Sequence, residues 1–209
     1  MKKTLLILLL AFAASGISYG QFALGIKAGY NANKLTTDLD SIKSQVNSGF
    51  HIGAFTRFGK RVYLAPEIQY SMSGAVFTQE GTASTSGWKQ KIKIGSVDVP
   101  VLVGIKIMHS DLLTWRIELG PQASFNINKK VEDETSIQGP ITEASLSDMN
   151  WYILAGTGID ILFLKFDVRY QYGLNSMIEA ASTSTKTYQF DTQNQMFVIS
   201  VGWKIFGKK

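Results

Sequence analysis

Apolar residues return at every second position in eight stretches of this chain. The plainest is FVISVGWKIF, residues 197–206, where Phe197, Ile199, Val201, Trp203 and Ile205 alternate with Val198, Ser200, Gly202 and Lys204. A two-residue period is the mark of a strand with one apolar face. The same period runs through residues 22–33, 48–59, 62–72, 91–107, 115–126, 150–161 and 164–174. In 91–107 the alternation passes through Val97, Val99, Val101, Val103, Ile105 and Ile107, but Ile92 and Ile94 stand on the opposite parity. That break predicts a bulge at Gly95-Ser96.

The connections between stretches alternate in length. Residues 59–61, 108–114 and the link after Ile161 are short, whereas 34–47, 73–90, 127–149 and 175–193 are long and rich in Ser, Thr, Asn, Asp and Gly. Segments near ten residues, joined by short turns at one end and long loops at the other, are the pattern of an outer-membrane barrel. The two faces agree with this. One carries Lys27, Arg57, Glu67, Gln69, Asp98, Arg116, Glu118, Asp160, Asp167, Arg169, Gln171 and Lys204, interleaved with glycines. The other is aliphatic between two aromatic levels. Tyr30, Phe50, Tyr70, Phe125, Trp151, Tyr172 and Phe197 mark the long-loop end, and Phe22, Phe58, Trp115, Phe166 and Trp203 the short-turn end. Aromatic girdles around an aliphatic band belong at the two interfaces of a membrane. The expected fold is all-β: an eight-stranded antiparallel up-and-down transmembrane β-barrel, with short periplasmic turns, long extracellular loops and a lumen filled by side chains.

Composition adds the route of export. Lys2-Lys3, an apolar run from Thr4 to Ala14 and Ser18-Tyr19-Gly20 together make a signal peptide, with cleavage expected before Gln21. The apolar run is shorter than the roughly 20 residues of a membrane-spanning helix. The reading is therefore residues 1–20 as signal peptide and 21–209 as one barrel domain in the cell outer membrane of a Gram-negative bacterium. Among the chain's residues there is no cysteine, so neither disulfides nor a thiolate metal site are available. The formal charge of +5 falls to +3 once Lys2 and Lys3 leave, and the remaining cations are scattered, which argues against nucleic acid as a partner.

Candidate chemistry is thin. His51 falls on the polar face near the long-loop rim, with no base or nucleophile identifiable beside it in sequence. His109-Ser110-Asp111 is a short turn, and three adjacent residues cannot make the mutual hydrogen bonds of a Ser-His-Asp triad; Ser and Asp there suit turn chemistry. Two distant histidines make no metal site. The run Glu132-Asp133-Glu134 in the third long loop reads first as a solvated loop tip and only second as a contact for divalent ions. Gly53, Gly59, Gly156 and Gly158 precede no helix and so form no phosphate loop. No catalytic, cofactor-binding or metal residue is assigned, no cofactor is expected, and the chain is not read as an enzyme.

Several stretches, taken in order, carry a family resemblance. Val97-Asp98-Val99-Pro100-Val101-Leu102, Leu119-Gly120-Pro121, Arg169-Tyr170-Gln171-Tyr172-Gly173-Leu174 and the leader ending Ser18-Tyr19-Gly20-Gln21 resemble the Bacteroidetes outer-membrane β-barrel domain family, also described as porin family or PorT-like. The resemblance covers essentially the whole mature chain. It implies an OmpA-like eight-stranded barrel and no single activity; its namesake is associated with protein secretion. The partners expected are outer-membrane lipid, the barrel assembly machinery during insertion, and extracellular or envelope partners met through the long loops. Three function classes follow in rank: a structural or interaction barrel, a small diffusion pore, and an envelope enzyme.

Overall fold

In the computed structural model the barrel strands turn most of their charged and polar residues inward and, within the membrane band, their large apolar residues outward. The structure describes residues 22–36, 42–45, 47–79, 88–110, 112–133, 146–175, 181–183, 186–188 and 193–207. The leader, Gln21 and the final two lysines lie outside the described residues. The strands are β1 (Phe22–Thr36), β2 (Ile42–Gln45), β3 (Asn47–Gly59), β4 (Val62–Gln79), β5 (Trp88–His109), β6 (Leu113–Asp133), β7 (Met149–Ile161), β8 (Leu164–Gly173), β9 (Ala181–Thr183), β10 (Lys186–Tyr188) and β11 (Gln193–Gly207).

Eight of them form the barrel. Each pairs antiparallel with its neighbour in the cyclic order β1, β3, β4, β5, β6, β7, β8, β11, and β11 returns to β1 from Gln193↔Thr36 to Gly207↔Ala23. Closure leaves no unpaired edge in lipid, where an unsatisfied backbone group costs several kcal/mol. The order matches the up-and-down expectation strand for strand. β2 extends the pairing of β4 above the end of β3, and β9 pairs with β10 as a separate small hairpin.

The short turns lie together at one end. Gly59 takes a φ of 129°, a conformation costly for any other residue. The β7–β8 hairpin turns through only Leu162-Phe163, with Leu162 at φ 55° and the Phe163 ring 4.5 Å from that of Trp203. In the turn after β5, Ser110 Oγ accepts from the Leu113 amide at 3.1 Å, the backbone role foreseen for this serine. Asp111 lies outside the described residues.

The outward face supplies the membrane dimension. On β5 the outward apolar residues run from Val97 to Ile107. With a strand rise of about 3.4 Å and a tilt near 40°, those eleven positions span about 26 Å of height, the thickness of a barrel's apolar band. Trp151, Tyr172 and Phe197 ring the upper limit, and Trp115, Phe166 and Trp203 the lower, all exposed on the outer face.

One expectation is corrected. A register shift does occur at Gly95/Ser96, but the extra residue is Ile127 of β6, since Gly95 faces Asn128 while Ser96 faces Asn126. β5 itself runs straight, so Ile92 and Ile94 are not returned to the outer face; they point inward, 3% and 2% exposed. It is the solvent that changes. Above the apolar band the outer face meets water, so Lys91 and Lys93 point out and isoleucines pack inside, as in a soluble protein. The segments read as polar loops at 73–90 and 127–149 are thus partly strand: β4, β5 and β6 have 18, 22 and 21 residues, against 10 for β8, and raise a wall on one side of the barrel.

Candidate functional site

The barrel interior is held by an ion-pair network with members on β1, β3, β4, β6, β7, β8 and β11. Alternation brings charged side chains inward, three of them from β8 alone, and glycines opposite them leave the room. Tyr63 shows how. Its ring lies over Gly104, where an added Cβ would come within 2.2 Å of it, and its hydroxyl donates to Glu118 at 2.8 Å.

Glu67 is the hub. It accepts two bonds from Arg169, both at 2.7 Å, one from Lys165 at 3.2 Å, and one from Lys27. Glu118 joins Arg169 at 2.8 Å and Arg116 at 3.2 Å. Arg116, fully buried, bridges Asp167 at 2.5 Å and Asp160 at 3.0 Å. Asp160 also takes Arg57 at 2.6 Å and Lys204 at 3.6 Å. Lys165 adds a contact to Asp167 at 3.1 Å and lies 4.4 Å from the centre of the Phe55 ring. Buried charges persist where pairing and hydrogen bonds replace water, and here Glu67, Glu118, Asp160, Asp167, Arg116, Lys165 and Arg169 each meet more than one opposite charge, while Lys27, Arg57 and Lys204 each meet one.

The sequence named most of these residues and missed Lys165. It lies on the parity of Asp167 and Arg169, and extending the alternation by one step would have found it. β5 brings Lys106 to the short-turn end of the interior. It contributes Leu102, and nearer the long-loop end Asp98, a buried carboxylate that accepts from Ser71 at 2.5 Å, Ser96 at 2.8 Å, Gln69 at 3.3 Å and from Ser124. Above the network a cavity of about 20 Å³ has room for roughly one water. Below it a vestibule of about 390 Å³ opens between the short turns, lined by Arg57, Lys106, His109, Asp160 and Lys204.

His51 has the partners that could not be identified in sequence. Its Nδ1 is 2.7 Å from Asn31 Oδ1 and its Nε2 is 3.0 Å from Ser200 Oγ. Nδ1 therefore carries the proton donated to Asn31, and Nε2 accepts from the serine hydroxyl. This is the connectivity of a nucleophile, a base and an orienting residue. Yet Asn31, His51 and Ser200 are each 2% exposed or less, neither His51 nor Ser200 lines a described cavity, and Gly29 packs directly against the imidazole. A substrate carbonyl has no place beside Ser200 Oγ. The trio braces β1, β3 and β11 across the closing seam.

The remaining candidates separate. His109 bonds Thr114 Oγ1 at 2.7 Å in its turn. Glu132 points outward to Lys93 at 2.8 Å, Asp133 accepts from Gln90 at 2.8 Å, and Glu134 lies outside the described residues, so Glu132 and Asp133 do not converge on one ion. Among the described residues no three His, Cys, Asp or Glu side chains cluster as a metal site. The glycines set aside as phosphate loops lie in strands or at the β3–β4 turn.

A closed eight-stranded barrel with an apolar outer band, aromatic girdles and a charge-paired interior is an outer-membrane β-barrel protein. The chain belongs to the family described as outer membrane protein beta-barrel domain, whose model matches residues 13–179. Among solved structures it is similar to the outer membrane protein OprG from Pseudomonas aeruginosa, at 12% identity over 89% of this chain and 96% of that one, with a TM-score of 0.51. It is also similar to Neisserial surface protein A, at 14% identity over 87% and 97% with a TM-score of 0.49. The outer membrane enzyme PagL aligns at 12% identity over 87% and 99% with a TM-score of 0.41. No curated protein matches the chain.

Proposed function

We propose that this protein is a non-enzymatic interaction barrel: a sealed scaffold in the outer membrane that meets its partners through the wall and loops above the bilayer. The observation that carries this is the buried ion-pair network from Lys27 to Lys204, which fills the cross-section where a pore needs water. In this reading residues 1–20 are the export leader, removed before Gln21, and the barrel assembly machinery inserts the rest. The finer kinship is with the PorT-like Bacteroidetes branch, on the strength of the Asp98-Val99-Pro100 and Arg169 to Leu174 stretches.

Planar-bilayer recording of the purified protein tests the sealed lumen. The expected result is no conductance beyond rare small flickers; large, stable single-channel steps would establish the pore instead. The enzyme class is tested separately with a fluorophosphonate probe, which labels activated serines. Ser200 is expected to stay unlabelled in the folded protein. Labelling that Ser200→Ala abolishes would convert the Asn31–His51–Ser200 brace into a catalytic site.

A further inference from the structure

The wall built by β5 and β6 carries a basic patch just above the membrane, with more ammonium groups than carboxylates among the described residues. β5 presents Lys91 and Lys93 outward, and β6, its parity reversed by the bulge at Ile127, presents Lys130 and Glu132 outward. Lys93 stands directly opposite Lys130, and Lys91 opposite Glu132. Like charges facing each other across a strand pair are destabilising in isolation. The one carboxylate in the patch serves Lys93, at 2.8 Å and 3.0 Å. That hydrogen bond, with Lys91 and Lys130 nearby, holds the Glu132 carboxyl below its usual range. Among the described residues Lys91 and Lys130 make no ion pair. Among the described residues, three ammonium groups therefore share a single carboxylate.

Height decides what faces them. Val97 is the last outward apolar residue of β5, and Lys93 is four residues further along. At the rise and tilt used above, that is about 10 Å above the edge of the hydrocarbon. The headgroup layer occupies roughly 5–8 Å on each side of the core. Lysine side chains bend toward such a layer, keeping the ammonium at the polar level and the stem against apolar surface. Exposed Ile127 on β6, between the apolar band and Lys130, offers that surface.

We propose that Lys91, Lys93 and Lys130 form a binding site for the phosphate groups of the outer leaflet's phosphorylated glycolipid, lipid A. The inference rests on the membrane placement adopted above, and it gives the scaffold a first partner: the lipid that surrounds it. A phosphate seated between Lys93 and Lys130 relieves their repulsion, while Glu132 fixes Lys93 in position. The site is lateral, on the lipid-facing wall, and leaves the tips of the loops free for other contacts.

The protein is refolded into phosphatidylcholine vesicles containing a few per cent of lipid A, either carrying its phosphates or enzymatically dephosphorylated. Lipid A retained by the detergent-extracted barrel is then measured by titration. Phosphorylated lipid A is expected to bind and dephosphorylated lipid A to bind far more weakly. The triple variant Lys91→Gln/Lys93→Gln/Lys130→Gln is expected to lose roughly a hundredfold in apparent affinity, about fivefold per lysine removed near an anionic surface. The Lys→Arg triple variant should retain binding, and molar salt should weaken it. Heat-dependent gel mobility confirms that each variant is folded. Equal binding of the two lipids, or by the Gln variant, overturns the site. The sealed-barrel reading survives that outcome, because conductance in lipid A-free bilayers tests it independently.

Discussion

Replacing Glu67 by Ala is expected to destabilise the folded barrel by about 3–5 kcal/mol, the cost of removing one partner from a buried ion pair. The geometry places this variant at the upper end. Glu67 is shared by Arg169, Lys165 and Lys27, so its loss takes a partner from three cations at once in a region where Lys165 is fully buried. Glu118 and Asp167 remain for Arg169, and Asp167 for Lys165, but Lys27 has no second carboxylate among its ion pairs. Urea unfolding in lipid vesicles, followed by tryptophan fluorescence, reads the difference. Lys27→Met should then recover part of the loss in the Glu67→Ala background while destabilising the unmodified protein, because coupled neighbours are not additive. A cost below about 1 kcal/mol would mean that water already screens the pair, as at an exposed bridge, and that the lumen is wet.

How much of this could be read beforehand follows from which forces leave a trace in the order of residues. The faces were legible because lipid on one side and a narrow polar lumen on the other impose a two-residue period on every strand. Turn positions were legible from connection length, although Leu162-Phe163 carries no Gly, Asn or Asp to announce a hairpin. Ion-pair partners were not. Glu67 and Arg169 were visible at similar heights, but the stagger of a barrel decides which neighbours meet, and only the three-dimensional register shows Lys27 and Lys165 converging on the same carboxylate. The His51 brace was hidden for the same reason: Ser200 lies 149 residues away and arrives through closure of β11 on β1. The wall was mistaken for loop because its outer face is as polar as a loop. Ile92 and Ile94, off-parity in the sequence, were its one signal, and they marked where the membrane ends.

The placement of the apolar face in lipid is tested most directly by charge at two depths of one strand. Val101 lies midway along the outward band of β5 and Ile107 near its short-turn end, and both are exposed on the outer surface. Neither side chain faces the charged interior, so neither substitution disturbs the network. Val101→Arg is expected to cost about 2–4 kcal/mol and Ile107→Arg about 0–1 kcal/mol, because a guanidinium at the midplane must drag water or headgroups inward while one near the interface snorkels out. The comparison is internal: strand, residue introduced and face are the same, and depth is the main difference, with Ile107 lying at the bulge between Lys106 and Met108. Refolding yield and urea midpoints in vesicles of matched thickness give both values. In a detergent micelle, which deforms around the charge, the gap should shrink. Equal costs in the bilayer would mean that depth along β5 is not depth in the membrane, and the girdles at Trp115 and Phe125 would then need another account.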